Sequence, residues 1–337
     1  MTKNEPQLTK IDVAITCFPG SQATSIHGLT DLFSYADYYA RELSGRSEPF
    51  VRVTHWRQGA GDTMECSFDS LPGPAAAPTL VIVPGCQIQP VERGAAPQCV
   101  RWMRERHAEG AIVAAVCGGV FLLADSGLLS SRRATTHWMF AEELRARFPD
   151  IYVDADRLVI DDGDVVTAGG VLAWADMGLT LVDRLLGPAV MHSTAHFMLM
   201  DPPGREQRFY GAFTPRLQHG DKQILAVQHW MQTNYLEDCS VAALADKASM
   251  GERTFLRRFT QATGSKPSEY HQRLKIARGK ELLEFTRDSV ERIALAAGYE
   301  DAGGFRRTFK RVIGLSPAEY RRKFQVNRAM AATASAG

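Results

Sequence analysis

The sequence lacks long hydrophobic runs and any segment typical of export. Apolar stretches such as residues 79–84 and 111–117 fall far short of the roughly 18–20 residues that a membrane-spanning helix needs. The first ten residues, MTKNEPQLTK, are polar and contain no apolar signal core. We therefore expect no membrane association and no export, and we expect the protein in the cytoplasm.

Cysteine is scarce and scattered. The six cysteines include no Cys-x-x-Cys pair and no disulfide-like spacing; they are Cys17, Cys66, Cys86, Cys99, Cys117 and Cys239. In a long chain without an export signal this pattern indicates reduced thiols and excludes a small disulfide scaffold. His192 and His196 share the i, i+4 spacing of helical metal ligands, but no third ligand accompanies them. We expect no metal site and no cofactor.

Charge is distributed unevenly along the 337 residues, which are enough for two domains. The net charge of +1 conceals a basic C-terminal third. Residues 221–328 contain 20 Lys and Arg against 13 Asp and Glu, whereas the rest of the chain contains 19 against 25. This asymmetry suggests a polyanion-binding module joined to a domain of another kind.

The basic third contains an internal repeat. Residues 240–270 recur at 289–320, first at an offset of 49 and, after one extra residue, at an offset of 50. Both copies contain Phe-x-x-x-Phe followed by Pro-x-Glu-Tyr. A repeat of this kind indicates a duplicated structural unit.

Each copy predicts two short helices joined by a tight turn. Ser240 can cap the first helix, and the small Ala245 and Ala294 allow the two helices of each copy to cross closely. The second helix turns its phenylalanines inward and its basic residues outward, which is typical of a helix-turn-helix unit that enters the DNA major groove. A single copy is equally compatible with a helical domain that has a solvated basic face. Two basic copies favour DNA binding.

Residues 222–324 resemble the DNA-binding domain of AraC/XylS transcriptional regulators. The most similar stretch is KIARGKELLEFTRDSVERIALAAGYEDAGGFRRTFKRVIGLSPAEYR, residues 275–321. The resemblance implies an all-α domain in which a long helix around residues 270–283 joins two helix-turn-helix units on successive major-groove faces of double-stranded DNA. It implies DNA contacts by seven residues of the second helices: Arg253, Thr254, Leu256, Arg257, Arg306, Arg307 and Lys310.

The second unit differs from the family at the start of its recognition helix. Gly303 and Gly304 stand where longer polar side chains are common, and glycine cannot reach a base edge. We expect the first unit to carry more of the sequence specificity and the second to bind mainly phosphate.

The first 190 residues alternate short β-rich apolar runs with helical patterns. Strands are predicted at 11–17, 50–56, 79–83, 111–116, 158–160 and 165–168, and helices at 28–43, 100–109, 118–126, 138–148 and 173–186. This alternation predicts an α/β domain with a flavodoxin-like, mostly parallel sheet and helices on both faces.

A strand runs directly into Cys117, two glycines and a helical segment. This is the pattern of a nucleophile elbow, in which the glycines permit a sharp turn and the helix start favours a thiolate. His137 follows 20 residues later, where it has the potential to reach the sulfur. Gly85 and Cys86 follow another predicted strand, where their backbone N–H groups could stabilise an oxyanion.

Residues 10–190 resemble the PfpI-like branch of the class I glutamine-amidotransferase superfamily. The matching residues are Gly85, Cys117, His137 and the loop 167–170. Enzymes of that branch place an acidic residue of the first strand–helix loop against the cysteine. The corresponding position lies near Ser25, where the sequence has no Asp or Glu. The resemblance therefore implies that Cys117 and His137 are vestigial catalytic candidates.

Two hypotheses for this domain remain open. In the first, Cys117 and His137 are the nucleophile and base of an active hydrolase or lyase. In the second, which fusion to a DNA-binding domain favours, the elbow is a scaffold that binds a small effector without catalysis. The predicted pocket comprises Ser25, Gly85, Cys86, Cys117, Gly118, Thr136, His137, Trp138 and Gly169. Related architectures suggest an amino acid or quaternary amine, for which Trp138 would provide a cation–π contact.

The predicted organisation has five parts. They are an extended or disordered N-terminus (1–9), a sensor and dimerisation domain (10–198), a Pro- and Gly-rich linker (199–221), the DNA-binding domain (222–326) and a flexible tail (327–337). The expected partners are double-stranded DNA, a small-molecule effector, a second copy in a homodimer and, for an activator, RNA polymerase. A DNA-binding protein whose first domain only dimerises is the remaining alternative.

Overall fold

The computed structural model describes residues 10–74 and 77–325. The predicted N-terminal extension (1–9) and tail (327–337) lie outside these residues. The described chain divides into two compact units, one ending at Arg208 and the other beginning at Phe209. In the described part of the chain, no helix is long and apolar enough to cross a membrane.

The first unit contains an α/β fold. Its strands are β1 (Ile11–Cys17), β2 (Val51–Gln58), β3 (Met64–Asp69), β4 (Leu80–Val83), β5 (Ile112–Val116), β6 (Arg133–Ala134), β7 (Tyr152–Val153), β8 (Val159–Asp161) and β9 (Val165–Ala168). Its helices are α1 (Ala23–Ser44), α2 (Pro97–Ala108), α3 (Val120–Asp125), α4 (Ala141–Arg147), α5 (Ala173–Leu186) and α6 (Pro188–Phe197). Single 3-10 turns at Cys117–Gly119 and Trp138–Phe140 precede α3 and α4.

Within the described residues of this unit, seven strands form one sheet in the order β3-β2-β1-β4-β5-β9-β8. The five central strands are parallel, and β3 and β8 are antiparallel edge strands. Alternate residues of β1 face opposite sides: Val13 and Ile15 pack with α1 and α5, whereas Ala14 packs with α2 and α3. The prediction of a mostly parallel sheet covered on both faces is confirmed.

The second unit is all-helical within residues 209–325. Its helices are α7 (Lys222–Thr233), α8 (Val241–Lys247), α9 (Glu252–Thr263), α10 (Pro267–Phe285), α11 (Val290–Ala296), α12 (Ala302–Ile313) and α13 (Pro317–Phe324). The repeat appears as two helix pairs, α8–α9 and α11–α12, each with its own core built on a Phe pair. The predicted double helix-turn-helix fold is confirmed.

The duplicated sequence features produce duplicated local structure. Ser240 and Ser289 cap α8 and α11, accepting hydrogen bonds from the amides three residues later. Ala245 and Ala294 are buried where the helices of each pair cross. The predicted joining helix is α10, longer at both ends than expected.

The segment predicted as a linker, residues 199–221, is divided between the units. Its first part, up to Arg208, belongs to the α/β unit, where Gln207 is buried. Its second part belongs to the helical unit, where Phe213 packs edge-on against Tyr270 at 5.0 Å between ring centroids.

Candidate effector site and DNA-binding surface

The nucleophile elbow predicted from the sequence is present at the end of β5. Cys117 has a φ of 54°, a left-handed conformation that is uncommon for a residue with a Cβ atom. Gly119 is required here because a Cβ atom at this position would lie 2.2 Å from the carbonyl oxygen of Pro84. The chain therefore makes the expected sharp turn between β5 and α3.

The elbow lies where the carboxyl ends of parallel strands meet. Gln22 and Ser25 follow β1, Gly85 follows β4, and Gly169 follows β9. After β1 the next strands are added on one side of it, and from β4 onwards they are added on the other side. At such switch points α/β proteins bind ligands. The fold thus brings predicted residues from four separate segments together at the carboxyl ends of the strands.

Gly85 packs between the first loop and the elbow. A Cβ atom built on Gly85 would lie 3.4 Å from Cys117 Cβ and 3.7 Å from Ser25 Oγ. The same position is 3.0 Å from Gln22 Oε1, which accepts a 2.7 Å hydrogen bond from Ser25 Oγ. The side chains that meet the elbow from the first loop are therefore an uncharged amide and a hydroxyl.

The thiols at this edge are protonated at neutral pH. Burial raises the pKa of the Cys117 thiol to about 11, and the N–H of Gly118 offsets only part of this effect. Burial and the nearby Cys117 raise the pKa of Cys86 to about 12. Cys86 also packs against the elbow: a Cβ atom built on Gly118 would lie only 2.9 Å from the Cys86 sulfur. The helix start does not produce the thiolate that the sequence pattern suggested.

His137 and Trp138 form the more open side of the site. The two rings lie 5.5 Å apart and are half-buried. His137 Nδ1 accepts a 3.2 Å hydrogen bond from the amide of Met139, and burial lowers the pKa of the imidazole. Among the hydrogen bonds of the described residues, none joins His137 to Cys117.

Thr136 and Gly169 are connected through a residue that the sequence did not reveal. Thr136 Oγ1 donates to the carbonyl oxygen of Cys117 at 2.7 Å, and the Thr136 carbonyl accepts from Gln207 Nε2 at 2.8 Å. Gly169 provides space for Gln207, because a Cβ atom there would lie 2.4 Å from Nε2. Gln207 lies in the predicted linker, where no periodic pattern marks a buried residue.

A concave surface of this unit lies away from the elbow. It is a cleft of about 570 Å³ along α2. Its lining includes Arg93, Arg101, Arg104 and Val100 and none of the nine predicted pocket residues. Among the described residues, no group of three or more His, Cys, Asp or Glu side chains is placed to hold a metal ion.

The basic faces of α9 and α12 are open to solvent. Phe255 and Phe259 anchor α9 in the first core, and Phe305 and Phe309 anchor α12 in the second. The seven residues predicted to contact DNA are all exposed: Arg253, Thr254, Leu256, Arg257, Arg306, Arg307 and Lys310.

The basic residues of the recognition helix α12 lie beside acidic residues and a capped helix start. Gly304 donates a 2.8 Å backbone hydrogen bond to the capping carboxylate of Asp301 at the start of α12. The Arg307 guanidinium folds back toward this turn, with Nη1 3.3 Å from a Cβ atom built on Gly303. Arg306 pairs with the exposed Glu291 of α11 at 2.5 Å. Such exposed pairs contribute little stability, so DNA phosphate can replace the carboxylate at small cost.

Comparison with known proteins gives the same division of the chain. Residues 56–184 match the DJ-1/PfpI family, and residues 244–323 match a helix-turn-helix domain family. The HTH-type transcriptional regulator CdhR of Pseudomonas aeruginosa is 26% identical over 240 residues, covering 68% of each chain. GlxA of Rhizobium meliloti is 28% identical over 217 residues, covering 64% of this chain and 66% of GlxA. GbdR of Pseudomonas aeruginosa is 25% identical over 270 residues, covering 78% of this chain and 71% of GbdR.

The fold, the duplicated basic helices and these matches define an AraC-type DNA-binding transcriptional regulator. The chain belongs to the AraC family of helix-turn-helix regulators that carry an N-terminal DJ-1/PfpI domain.

Proposed function

We propose that this regulator responds to a small effector bound at the elbow, and that the elbow is not catalytic. One observation carries the proposal: the Cys117 thiol is buried and has a pKa raised to about 11. A cysteine nucleophile needs a lowered pKa or a base within hydrogen-bond reach. Among the described residues, Cys117 has neither a hydrogen bond to His137 nor a carboxylate partner.

The proposed effector site comprises the elbow and the residues around it, with the half-buried His137 and Trp138 on its more open side. Its members are the nine predicted residues, Ser25, Gly85, Cys86, Cys117, Gly118, Thr136, His137, Trp138 and Gly169, together with Gln22. Amide and hydroxyl groups suit a polar metabolite, and the Trp138 ring suits a cationic group. An amino acid or quaternary amine combines these properties.

The proposed DNA contacts divide by helix. Arg253, Leu256 and Arg257 of α9 face base edges, with Thr254 beside them, since arginine can bond guanine bidentately. Arg306, Arg307 and Lys310 of α12 bind mainly phosphate, because the glycines at its start have no side chain to offer. We propose that the regulator acts as a cytoplasmic homodimer on repeated half-sites and, as an activator, through RNA polymerase.

One observation favours the alternative of an active cysteine hydrolase or lyase. The positive φ of Cys117 keeps the strained backbone that exposes nucleophiles in related enzymes. The alternative predicts turnover that Cys117→Ala abolishes, whereas the proposed regulator keeps effector binding in that variant.

The test is calorimetry on the full chain against the proteinogenic L-amino acids and quaternary amines including choline. A bound compound should bind Cys117→Ala with little change and Trp138→Ala severalfold more weakly. Met139→Ala, which alters the exposed neighbouring residue, is the matched control. Unchanged affinity in Trp138→Ala would remove Trp138 from the site. Affinity lost only on Arg104→Ala would move the effector to the α2 cleft.

A further inference from the structure

Residues 205–213, called the strap below, are fixed to the first unit at one end and to the second unit at the other. The strap is continuous chain, and Gln207 and Phe209 are only two residues apart. Its hydrogen bonds to the first unit involve the walls of the proposed effector site. Its contacts with the second unit involve both helix-turn-helix cores.

The first end of the strap is anchored by Gln207. Its side chain is 2% exposed, and Nε2 donates to Thr135 Oγ1, Thr136 O and Arg157 O at 2.9, 2.8 and 3.0 Å. Its Oε1 accepts from the amide of Trp138 at 3.2 Å. A buried amide with this many partners is stable in one arrangement only, because a small shift leaves several polar groups unsatisfied.

Two further interactions hold the same end. Arg205 forms a bidentate pair with the buried Asp176 of α5, with Nε donating to Oδ1 at 2.9 Å. The backbone amides of Gln207 and Arg208 donate to the carbonyl oxygen of Asp156. The first end is therefore a rigid part of the α/β unit.

The other end is anchored on α10. Lys280 Nζ is buried against the strap and donates to the carbonyl oxygens of Gly211 at 2.6 Å and Phe209 at 3.4 Å. The ring of Tyr210 packs edge-on against Phe324 of the second core at 5.3 Å. Phe213 packs against Tyr270 of the first core. The strap thus bridges the two helix-turn-helix units.

We propose that Gln207 is the coupling residue that links effector binding to DNA binding, a role that rests on the proposed function above. An effector held by Trp138 and the 135–138 loop changes the position of the groups that bind Gln207. Gln207 and Phe209 are the first and last residues of a single 3-10 turn, so a shift of Gln207 acts directly on Phe209, whose carbonyl oxygen accepts from Lys280. A shift at Phe209 alters how the strap holds the two helix-turn-helix units. Because coupling between two sites is reciprocal, DNA binding in turn alters the 135–138 loop.

This reciprocity allows a test that needs no identified effector. Amide hydrogen exchange is measured on the full chain with and without a duplex enriched from genomic fragments. DNA should protect α9 and change exchange at residues 134–139, including the Trp138 amide, by about fivefold or more. Inserting Gly-Gly between Arg208 and Phe209 leaves both anchors intact. This variant should keep the α9 protection and lose the change at 134–139.

Two substitutions sharpen the result. Gln207→Ala should also lose the DNA-dependent change, whereas Gln98→Ala, which removes a half-buried glutamine bonded to Gly61 in the same unit, should retain it. If Gln207→Ala does not fold, the insertion variant still decides the question.

The outcomes separate this inference from the proposed function. Protection of α9 without any change at 134–139 in the wild type overturns the coupling and leaves the regulator intact. A change that persists in the insertion variant also overturns the role of the strap. Absence of α9 protection with every enriched fragment overturns DNA reading itself, and the coupling with it.

Discussion

Thr136 Oγ1 donates a 2.7 Å hydrogen bond to the backbone carbonyl oxygen of Cys117. This bond ties the loop that carries His137 to the elbow through the main chain. A general base acts within hydrogen-bond reach of its nucleophile, directly or through one water, and no hydrogen bond joins His137 to the Cys117 thiol among the described residues. This arrangement supports the proposal that the elbow is a scaffold for binding.

The Cys117 thiol should be unreactive at neutral pH. With its pKa raised from 9.0 to about 11, it has roughly a hundredfold less thiolate at pH 8 than an ordinary cysteine. Mass spectrometry after iodoacetamide treatment should find the exposed Cys66 alkylated well before Cys117. Alkylation of both at similar rates near pH 7 would indicate an activated nucleophile.

The elbow should not tolerate a side chain at Gly119. Gly119→Ala places a Cβ atom 2.2 Å from the Pro84 carbonyl oxygen, which should lower the free energy of unfolding by about 3 kcal/mol or more. Gly170→Ala is the control, since its nearest neighbours would lie at an ordinary 3.8 Å. Urea unfolding of both variants checks the difference, and equal losses would contradict the packing described for the elbow.

The two recognition helices should respond differently to loss of a basic residue. Arg257→Ala should weaken binding to the preferred sequence by about 1–3 kcal/mol and relax specificity at one base pair. Lys310→Ala should weaken all sequences similarly and reduce the slope of log affinity against log salt by about 0.9. Arg278→Ala, outside both recognition helices, is the control. Equal loss of specificity in both helices would contradict the proposed division.

Acidification should destabilise the first unit through His55. Thr30 donates its hydroxyl hydrogen to Ile26 O, so His55 Nε2, 2.8 Å away, carries the proton that bonds Thr30. Burial and the nearby His27 lower the pKa of His55 below the usual 6.5. Below about pH 6.5 the unfolded chain therefore binds more protons than the folded chain. The free energy of unfolding decreases as the pH is lowered.

Urea unfolding between pH 7 and 5, followed by tryptophan fluorescence, checks this dependence. His55→Gln should flatten it by up to about 1.4 kcal/mol per pH unit, whereas His192→Gln at an exposed position is the control. An unchanged slope in His55→Gln would exclude His55 as the cause.

The buried strands and the duplicated helices were predictable because burial leaves a pattern in the sequence. The bounds of β1 and α5 agree with the structure residue for residue, since their apolar residues recur at the strand and helix periods. The edge strand β3 was missed although Met64, Cys66 and Phe68 alternate with polar residues; four of its six residues are exposed, so no buried apolar run marks it. Helix α6 was also missed, although Gly187 and Pro188 mark its start.

Two residues of the candidate site were not predictable for a related reason. Gln22 stands just before α1 and Gln207 begins a single 3-10 turn in the predicted linker, so neither has periodic apolar neighbours that would mark it. The proximity of Gln22 to the elbow results from the parallel order of β1, β4 and β5. The insertion of Gln207 beside Gly169 depends on side-chain packing that sequence spacing does not contain.

The most direct test of the account is selection of genomic DNA fragments by the purified full chain at two salt concentrations. We expect enrichment of a few fragments that share a motif, with affinity falling steeply as salt rises because phosphate contacts release counterions. Effectors that bind the first unit should shift this affinity. If no fragment is enriched at either salt concentration, even with amino acids and quaternary amines present, sequence-specific regulation by this chain is contradicted.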